Sequence, residues 1–241
     1  MKKLLFLLLA LSPAAHALDP PPFSHWQGGM LIGHDFFRVT SPRPLYRVGH
    51  YRVVPQATTP AMGFRMGGWL RYTFNRQRRW FVQPELSYSR SQTWHHVTNL
   101  LGPQLPLPGT PGPTDFQTMQ ATQDWQRLNV ALPLGRRIGR HGLLLAGPVL
   151  SQRIPTGYER QQQDHARRIV DSIDRSMRRP GLGVQLGGGL AMGRVTFTGR
   201  YERSLLNVAS EIELDGQQYA FPHYASQFSL ALALRVAPHY D

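Results

Sequence analysis

The chain has 241 residues, no cysteine, and 27 basic against 14 acidic residues, for a formal net charge of +13. The lack of cysteine excludes disulfides, zinc–thiolate centres and cysteine nucleophiles. A basic balance is typical of proteins whose partners carry phosphate, either nucleic acid or lipid head groups.

The first 17 residues have the pattern of an export signal. A charged start precedes an apolar run over residues 4–11, and Ala15-His16-Ala17 forms an A-x-A cleavage site. The run is too short for a spanning helix, which needs about 20 apolar residues. We therefore expect a signal peptide over residues 1–17 and one mature domain over residues 18–241. Export also argues against nucleic acid as a partner.

Beyond the signal, apolar and polar side chains alternate with period two, which predicts β-strands. Pro84 interrupts the third of these segments, and it predicts a local irregularity because proline cannot donate to a β-ladder. The eight alternating segments are 26–38, 63–74, 80–89, 125–138, 142–155, 181–192, 195–205 and 224–236.

The connections between these segments are short and long in turn. Three have only a few residues, at 75–79, 139–141 and 193–194, and the other four are long. The long connections are 39–61, 93–124, 156–180 and 206–223. This asymmetry is typical of outer-membrane barrels, and strands of about ten residues suit a tilted membrane crossing.

The polar face of the predicted strands carries charges among small residues, a mixture suited to a narrow lumen. A lone buried charge is costly, so we expect Glu85 and Glu202 each to meet at least one arginine. Eight strands leave room for side chains but not for a wide channel, which argues against a general porin. The predicted lumen ion-pair network contains Arg65, Arg71, Glu85, Arg127, Arg200, Glu202 and Arg235.

We therefore predict an all-β fold: an eight-stranded antiparallel up-and-down transmembrane β-barrel with long extracellular loops. It would lie in a Gram-negative outer membrane, with both termini and the short turns in the periplasm. Aromatic residues near the strand ends suit the girdles of such a barrel. Alternation alone also fits a soluble lipocalin-like carrier with the faces reversed, and this alternative stays open.

The third long connection departs from the β pattern. Ile169, Val170, Ile173 and Met177 recur at helical spacing, which predicts a short amphipathic helix over the barrel mouth. Its arginines are candidates for contacts with lipopolysaccharide phosphates, because guanidinium groups bind phosphate in a bidentate manner. These candidates are Arg167, Arg168, Arg175, Arg178 and Arg179. Outer-membrane lipid and lipopolysaccharide are thus the expected partners.

No pattern identifies a catalytic residue, a metal site or a cofactor site. The glycines of residues 181–189 lie inside an alternating strand, whereas a nucleotide loop needs a helix after it. His95 and His96 point to opposite faces of a strand and make poor joint metal ligands. We therefore expect a non-enzymatic protein without metal or cofactor. A lipid-modifying hydrolase with serine and histidine at the outer rim is the alternative, although no nucleophile elbow marks it.

Several segments resemble the PorT-like outer-membrane β-barrel proteins common in Bacteroidetes-type bacteria. They are GFRMGGWLRYTF, FVQPELSYSR, LNVALPLGRRIG, LLLAGPVLSQRI and LGVQLGGGLAMGRVTFTGRYERSLLNV, in this order. The resemblance covers most of Gly63 to Val236 and implies an eight-stranded outer-membrane barrel. In the founding members it also implies a link to protein secretion, so envelope or secretion proteins are implied partners. The expected role is to present loops for binding or to assist envelope or secretion assembly.

Overall fold

The computed structural model describes most of the chain after the expected signal. The signal itself lies outside the described residues, and so does the C-terminus beyond Val236. The described residues are 26–55, 60–74, 79–100, 118–154, 169, 171–173, 175–177 and 180–236.

Strands dominate this part of the chain. They are β1 (Trp26–Thr40), β2 (Tyr46–Val48), β3 (Tyr51–Pro55), β4 (Ala61–Phe74), β5 (Trp80–Val82), β6 (Glu85–Asn99), β7 (Thr118–Ala131), β8 (Leu134–Ile138), β9 (Gly142–Ile154), β10 (Gly181–Met192), β11 (Val195–Ser204), β12 (Ala209–Leu214) and β13 (Gln217–Val236).

Eight antiparallel transmembrane strands close into a barrel. Two of them are each interrupted: β5 and β6 form one such strand, and β7 and β8 form another. The ring therefore runs β1, β4, β5/β6, β7/β8, β9, β10, β11 and β13. The ring closes where β1 pairs with β13, from Gly28 opposite Val236 to Thr40 opposite Tyr224. The predicted eight-stranded antiparallel barrel is therefore confirmed.

Prolines explain why two of the transmembrane strands are interrupted. The predicted irregularity at Pro84 separates β5 from β6, and a second one at Leu132–Pro133, which we did not predict, separates β7 from β8. The backbone still bridges these gaps, because Gln83 N–H donates to the Pro133 carbonyl at 2.9 Å and Leu70 N–H donates to that of Pro84 at 2.9 Å. The prolines thus interrupt the ladders locally without opening the ring.

The apolar face points outward and the polar face inward. On the outside, Met30 is 68% exposed and Leu186 is 65% exposed, whereas the inward Arg65 is 6% exposed. An apolar surface of this extent needs hydrocarbon around it rather than water. The alternative of a soluble carrier with reversed faces is therefore wrong. The helical residues within the described part of the chain form no helix long and apolar enough to cross a membrane.

Aromatic rows bound this apolar belt at both ends. Near the short turns, the rings of Trp26 and Tyr72 lie 4.8 Å apart, and at the other end those of Phe36 and Phe228 lie 6.3 Å apart. Ten residues of a strand tilted by about 40° separate Trp26 from Phe36, which gives a height of about 25 Å. This height matches the hydrocarbon band of an outer membrane.

Short turns gather at one end of the barrel, the turn end, and long connections at the other, the loop end. The described turns at residues 139–141 and 193–194 confirm this asymmetry. Two long connections are more ordered than the sequence indicated: β2 and β3 form a hairpin in the first, and β12 pairs with an extension of β13 in the fourth. Asp215 (φ 51°) and Gly216 (φ 76°) form the turn between β12 and β13. Both φ angles are positive, as in the type I′ turn of a two-residue hairpin.

These hairpins and the third connection build a folded cap over the loop end. Residues 169, 171–173, 175 and 176 are helical, and Ile169 and Ile173 are fully buried. The predicted amphipathic helix is thus confirmed over its described residues, and Val170 lies outside them. The apolar interior of the cap, the cap core, contains Phe37, Val39, Tyr46, Val48, Tyr51, Val53, Val97, Trp125, Ile169, Ile173, Met177, Ala209, Ile212, Leu214, Phe221 and Ala225.

A charge placed on the lipid-facing wall should destabilise the barrel. Ile32 lies near the middle of the apolar belt and is 56% exposed. We expect Ile32→Arg to lower the free energy of unfolding by about 2–4 kcal/mol, because the guanidinium would lie in hydrocarbon. Denaturant titration in lipid bilayers, read by heat-modifiable gel migration, measures this loss.

The matched control is Gln218→Arg, which adds the same side chain to the exposed hairpin of the cap. It should change the free energy of unfolding by less than about 0.5 kcal/mol. Equal losses in both variants would contradict the assignment of hydrocarbon to the outer face.

Candidate functional site

The middle of the lumen holds a cluster of ion pairs around Glu202. This residue lies on β11 and faces inward because Tyr201 and Arg203 point outward. Its carboxylate lies 3.5 Å from Arg65 Nη2 and 4.0 Å from Arg127 Nη1, and Ser151 Oγ donates to it at 3.4 Å. The structure thus brings together three members of the predicted network.

Asp35 joins this cluster, and the sequence analysis missed it. Its carboxylate is 1% exposed and lies 3.6 Å from Arg65 Nε. It lies on β1, where glycines interrupt the alternation of apolar and polar residues that identifies the other strands. One feature of the sequence could have identified it: Asp35 is an even number of residues from Leu31 and Phe37, which face inward, so its side chain lies on the same face of the strand.

A second cluster lies nearer the turn end. Glu85 accepts hydrogen bonds from Arg200 and from the Gln83 amide, and Arg71 Nε donates to Gln83 Oε1 at 2.7 Å. The Arg71 guanidinium also lies 4.3 Å from the centre of the Phe81 ring, a cation–π contact. Arg71, Gln83 and Glu85 come from adjacent strands and Arg200 from β11 across the ring, so the four side chains form one polar layer that spans the lumen.

Arg153 is a further buried cation that the sequence analysis did not identify, because the facing of its strand was ambiguous. The structure points Arg153 inward on β9, together with Leu143 and Leu145. Its guanidinium lies 4.5 Å from the centre of the Trp125 ring and donates from Nη2 to the Asp124 carbonyl at 3.0 Å.

Arg235 lies apart from both clusters. It is only partly buried at the turn end, where its backbone N–H donates to the Arg194 carbonyl at 2.8 Å. Within the described part of the chain it makes no ion pair, so the structure does not place it in the predicted network.

Apolar side chains close the lumen at both ends. At the turn end, Phe81, Leu143 and Leu145 pack together, and Gly135 makes room for Phe81, since a Cβ there would lie 2.1 Å from the ring. At the loop end, the cap core covers the mouth. A cavity of about 30 Å³ remains between the Glu202 cluster and the cap. This volume suits one or two water molecules, so side chains fill most of the lumen that the described residues enclose.

Arginines follow the aromatic row on the outer wall at the loop end. On β1, β6 and β11 the next outward position above Phe36, Tyr88 and Tyr201 is an exposed arginine. Arg90 pairs with Asp124 at 2.8 Å. The other two arginines, Arg38 and Arg203, are each opposite Ser226 of β13.

Arg175 is the one predicted lipopolysaccharide contact among the described residues. It is exposed and lines a groove of about 360 Å³ between the loop helix and the β12–β13 hairpin. Glu211, Glu213 and Asp215 line the same groove, so its surroundings are acidic. Arg167, Arg168, Arg178 and Arg179 lie outside the described residues.

Three of the described histidines contact the backbone. Those of residues 34, 141 and 223 contact backbone carbonyls through Nδ1, at 3.3, 3.0 and 2.9 Å. His223 is also packed in the cap between the rings of Tyr46 and Phe221. Among the described residues, no group of three potential metal ligands lies together.

No protein family model matches the chain, and no curated protein sequence matches it. The PorT-like resemblance therefore stays a resemblance.

Solved structures with a similar fold include outer membrane protein AlkL in lipid bilayers (TM-score 0.45, 9% identity, 93% of this chain and 97% of that one). Neisserial surface protein A has a TM-score of 0.40 and 13% identity over 88% of this chain and 98% of its own. Ail, the attachment invasion locus protein of Yersinia pestis, has a TM-score of 0.39 and 15% identity over 88% and 100%.

These identities and TM-scores are too low to support an argument about binding or activity. The localisation instead rests on the barrel's own surface. A closed ring of eight strands, an apolar belt of membrane height and short turns at one end are the properties of outer-membrane barrels. The protein is a small outer-membrane β-barrel.

Removing the shared carboxylate of the Glu202 cluster should destabilise the barrel. We expect Glu202→Gln to lower the free energy of unfolding by about 3–5 kcal/mol, because Arg65 and Arg127 would lose a buried counter-ion. Denaturant titration in bilayers measures this loss. The control, Glu211→Gln, neutralises an exposed carboxylate of the cap and should cost less than about 0.5 kcal/mol. A loss below about 1 kcal/mol in Glu202→Gln would mean that water screens the lumen charges.

Proposed function

We propose that this protein is a non-enzymatic outer-membrane barrel that presents a folded cap of extracellular loops as a binding surface. The cap core is the observation that carries this proposal. It takes residues from all four long connections and buries them above the membrane belt. A surface built on such a core keeps one shape, which suits recognition more than a set of mobile loops does.

The packed lumen supports a binding role over a transport role. Ion pairs fill its middle, and apolar side chains close both of its ends. With the turn end in the periplasm, as is the rule for this class, the cap faces the cell exterior.

The outer wall supports lipopolysaccharide as one partner. Arg38 and Arg203 lie two residues beyond the aromatic row, at the height where the phosphates of an outer leaflet begin. They flank Ser226 on three adjacent strands, so two guanidinium groups and a hydroxyl face the same side. Such donors suit a lipid phosphate. We propose that they contact it together with the arginines of the third connection, residues 167, 168, 175, 178 and 179.

Loss of the two wall arginines should weaken lipopolysaccharide binding. Each arginine near an anionic lipid surface contributes about 1 kcal/mol, so we expect the double variant Arg38→Gln/Arg203→Gln to bind about 30-fold more weakly. Titration of fluorescent lipopolysaccharide into the barrel in zwitterionic micelles measures this at fixed salt.

The matched control is the double variant Arg47→Gln/Arg52→Gln. These exposed arginines pair across the β2–β3 hairpin, high in the cap. This variant removes the same charge and should bind lipopolysaccharide as the unmodified protein does. If both double variants lose affinity equally, binding depends on net charge, and the wall site is refuted.

A cavity in the cap core should open the cap and spare the barrel. Ile212 is fully buried there, and Ile212→Ala should cost about 2–5 kcal/mol of local stability. We expect faster proteolysis of the extracellular loops in intact cells, with heat-modifiable migration unchanged. Ile32→Ala, the same change on the lipid-facing wall, should leave the loops resistant. Unchanged proteolysis in Ile212→Ala would show that the cap core does not hold the loops.

Two finer roles follow from the sequence and need separate tests. A defined envelope or secretion protein that co-purifies from native membranes with the intact cap, and not with Ile212→Ala, would favour an assembly role. Turnover of lipid A or phospholipid by the purified barrel would instead favour the lipid-modifying hydrolase and would overturn the non-enzymatic proposal.

A further inference from the structure

An arginine lies on the lipid-facing wall close to the turn end. Arg136 is the third residue of β8 and faces outward together with Leu134 and Ile138, and all three are exposed. Across the two neighbouring ladders it is opposite Trp80 of β5 and Leu144 of β9, which are also exposed. The guanidinium thus emerges among four apolar side chains of the outer wall.

The height of Arg136 on the wall is that of the lipid head groups. Trp80 is opposite Phe74, two residues beyond Tyr72 of the aromatic row and on its turn side. Tryptophan is enriched where a membrane meets water, and an arginine at the edge of an apolar belt extends its charged group toward the head groups. Arg136 is therefore placed where a phospholipid carries its phosphate.

Trp80 orients the guanidinium at this height. The Cζ atom of Arg136 lies 5.3 Å from the centre of the Trp80 ring, a cation–π contact. Such a contact uses the face of the guanidinium, whereas its N–H donors point outward in the plane of the group. Two of these donors match two oxygens of a phosphate, which is the geometry of bidentate recognition.

The surroundings of this site at the turn end are basic. Arg140 and Arg194 are exposed in the two described turns, and Arg235 is partly buried. These turns are short, so their charges stay close to the membrane surface. The acidic residues of the described part lie in the lumen or at the loop end, namely Asp35, Glu85, Asp124, Asp171, Glu202, Glu211, Glu213 and Asp215. Such a surface attracts lipids of net negative charge.

We propose that Arg136 and Trp80 form a binding site for the phosphate of an anionic phospholipid, of the phosphatidylglycerol class, in the periplasmic leaflet. Arg136 donates hydrogen bonds to the phosphate, and Trp80 fixes the guanidinium at head-group height. A lipid rather than a soluble protein reaches this group, because the side chains around it face hydrocarbon. The site goes beyond the lipopolysaccharide contact proposed above, since it lies at the opposite end of the barrel.

A single fluorescent label can report on this site, because the chain has no cysteine. Ile138→Cys places the label on the outer wall, two residues from Arg136. The labelled full barrel is reconstituted in phosphatidylcholine vesicles with a small fraction of nitroxide-bearing quencher lipid in both leaflets. The quencher is phosphatidylglycerol in one series and phosphatidylcholine in the other. We expect half-maximal quenching at an about fivefold lower fraction of phosphatidylglycerol, since one arginine at an anionic lipid contributes about 1 kcal/mol.

Two further substitutions in the labelled barrel assign this preference to Arg136. Arg136→Gln should abolish it, so that both quencher lipids act alike. The matched control, Arg194→Gln, removes the same charge from the other described turn and should keep most of the preference. Arg194 lies at least two strand spacings from β8, roughly 10 Å, which is beyond a Debye length of about 8 Å. Heat-modifiable gel migration verifies that each variant is folded.

Equal quenching by the two lipids in the labelled barrel with Arg136 intact would overturn the proposal. A preference that survives in Arg136→Gln, or that falls equally in Arg194→Gln, would do the same, because the overall charge of the turn end would then explain it. Inorganic phosphate on both sides of the vesicles, at constant ionic strength, separates the lipid from the free ion. An unchanged preference supports a lipid site, and its loss would identify the ligand as the phosphate ion and refute the proposal.

Discussion

The pairing of β1 with β13 is the constraint on which the rest of the structure depends. Hydrocarbon offers no hydrogen bonds, so every backbone N–H and C=O in the membrane must find a partner within the sheet. The thirteen residue pairs from Gly28–Val236 to Thr40–Tyr224 remove the two edges that an open sheet would expose. Closure then creates an inside that hydrocarbon cannot reach. Arginine and glutamate can lie there only because the ring around them is complete.

The interior is organised in three levels that depend on one another. Phe81, Leu143 and Leu145 close the turn end, two ion-pair clusters occupy the middle, and the cap core closes the loop end. The apolar ends exclude bulk water, which strengthens the electrostatic interactions in between. For the same reason each buried guanidinium needs its own acceptor or ring. Arg71 and Arg153 show this, since each combines a hydrogen bond with a stack on an aromatic ring.

The sequence predicted the barrel well because period two is a strong signal over eight segments. It also predicted which residues face inward on the regular strands, for example Glu85 and Glu202. It failed where the pattern weakens: the glycines of β1 hid Asp35, and the run of leucines in β9 hid the inward facing of Arg153. The cap hairpins were also missed. Their alternating residues bury against other loops rather than in the barrel, so their partners are distant in the chain.

The composition of the cap core also bears on the biogenesis of the protein. Ile173, Ile212 and Tyr46 come from different connections and contact one interior. No single connection buries its apolar residues alone. The cap core can therefore be complete only when residues of all four connections are on the outer side of the membrane. The folded exterior thus requires the whole chain, whereas each strand of the wall needs only its two neighbours.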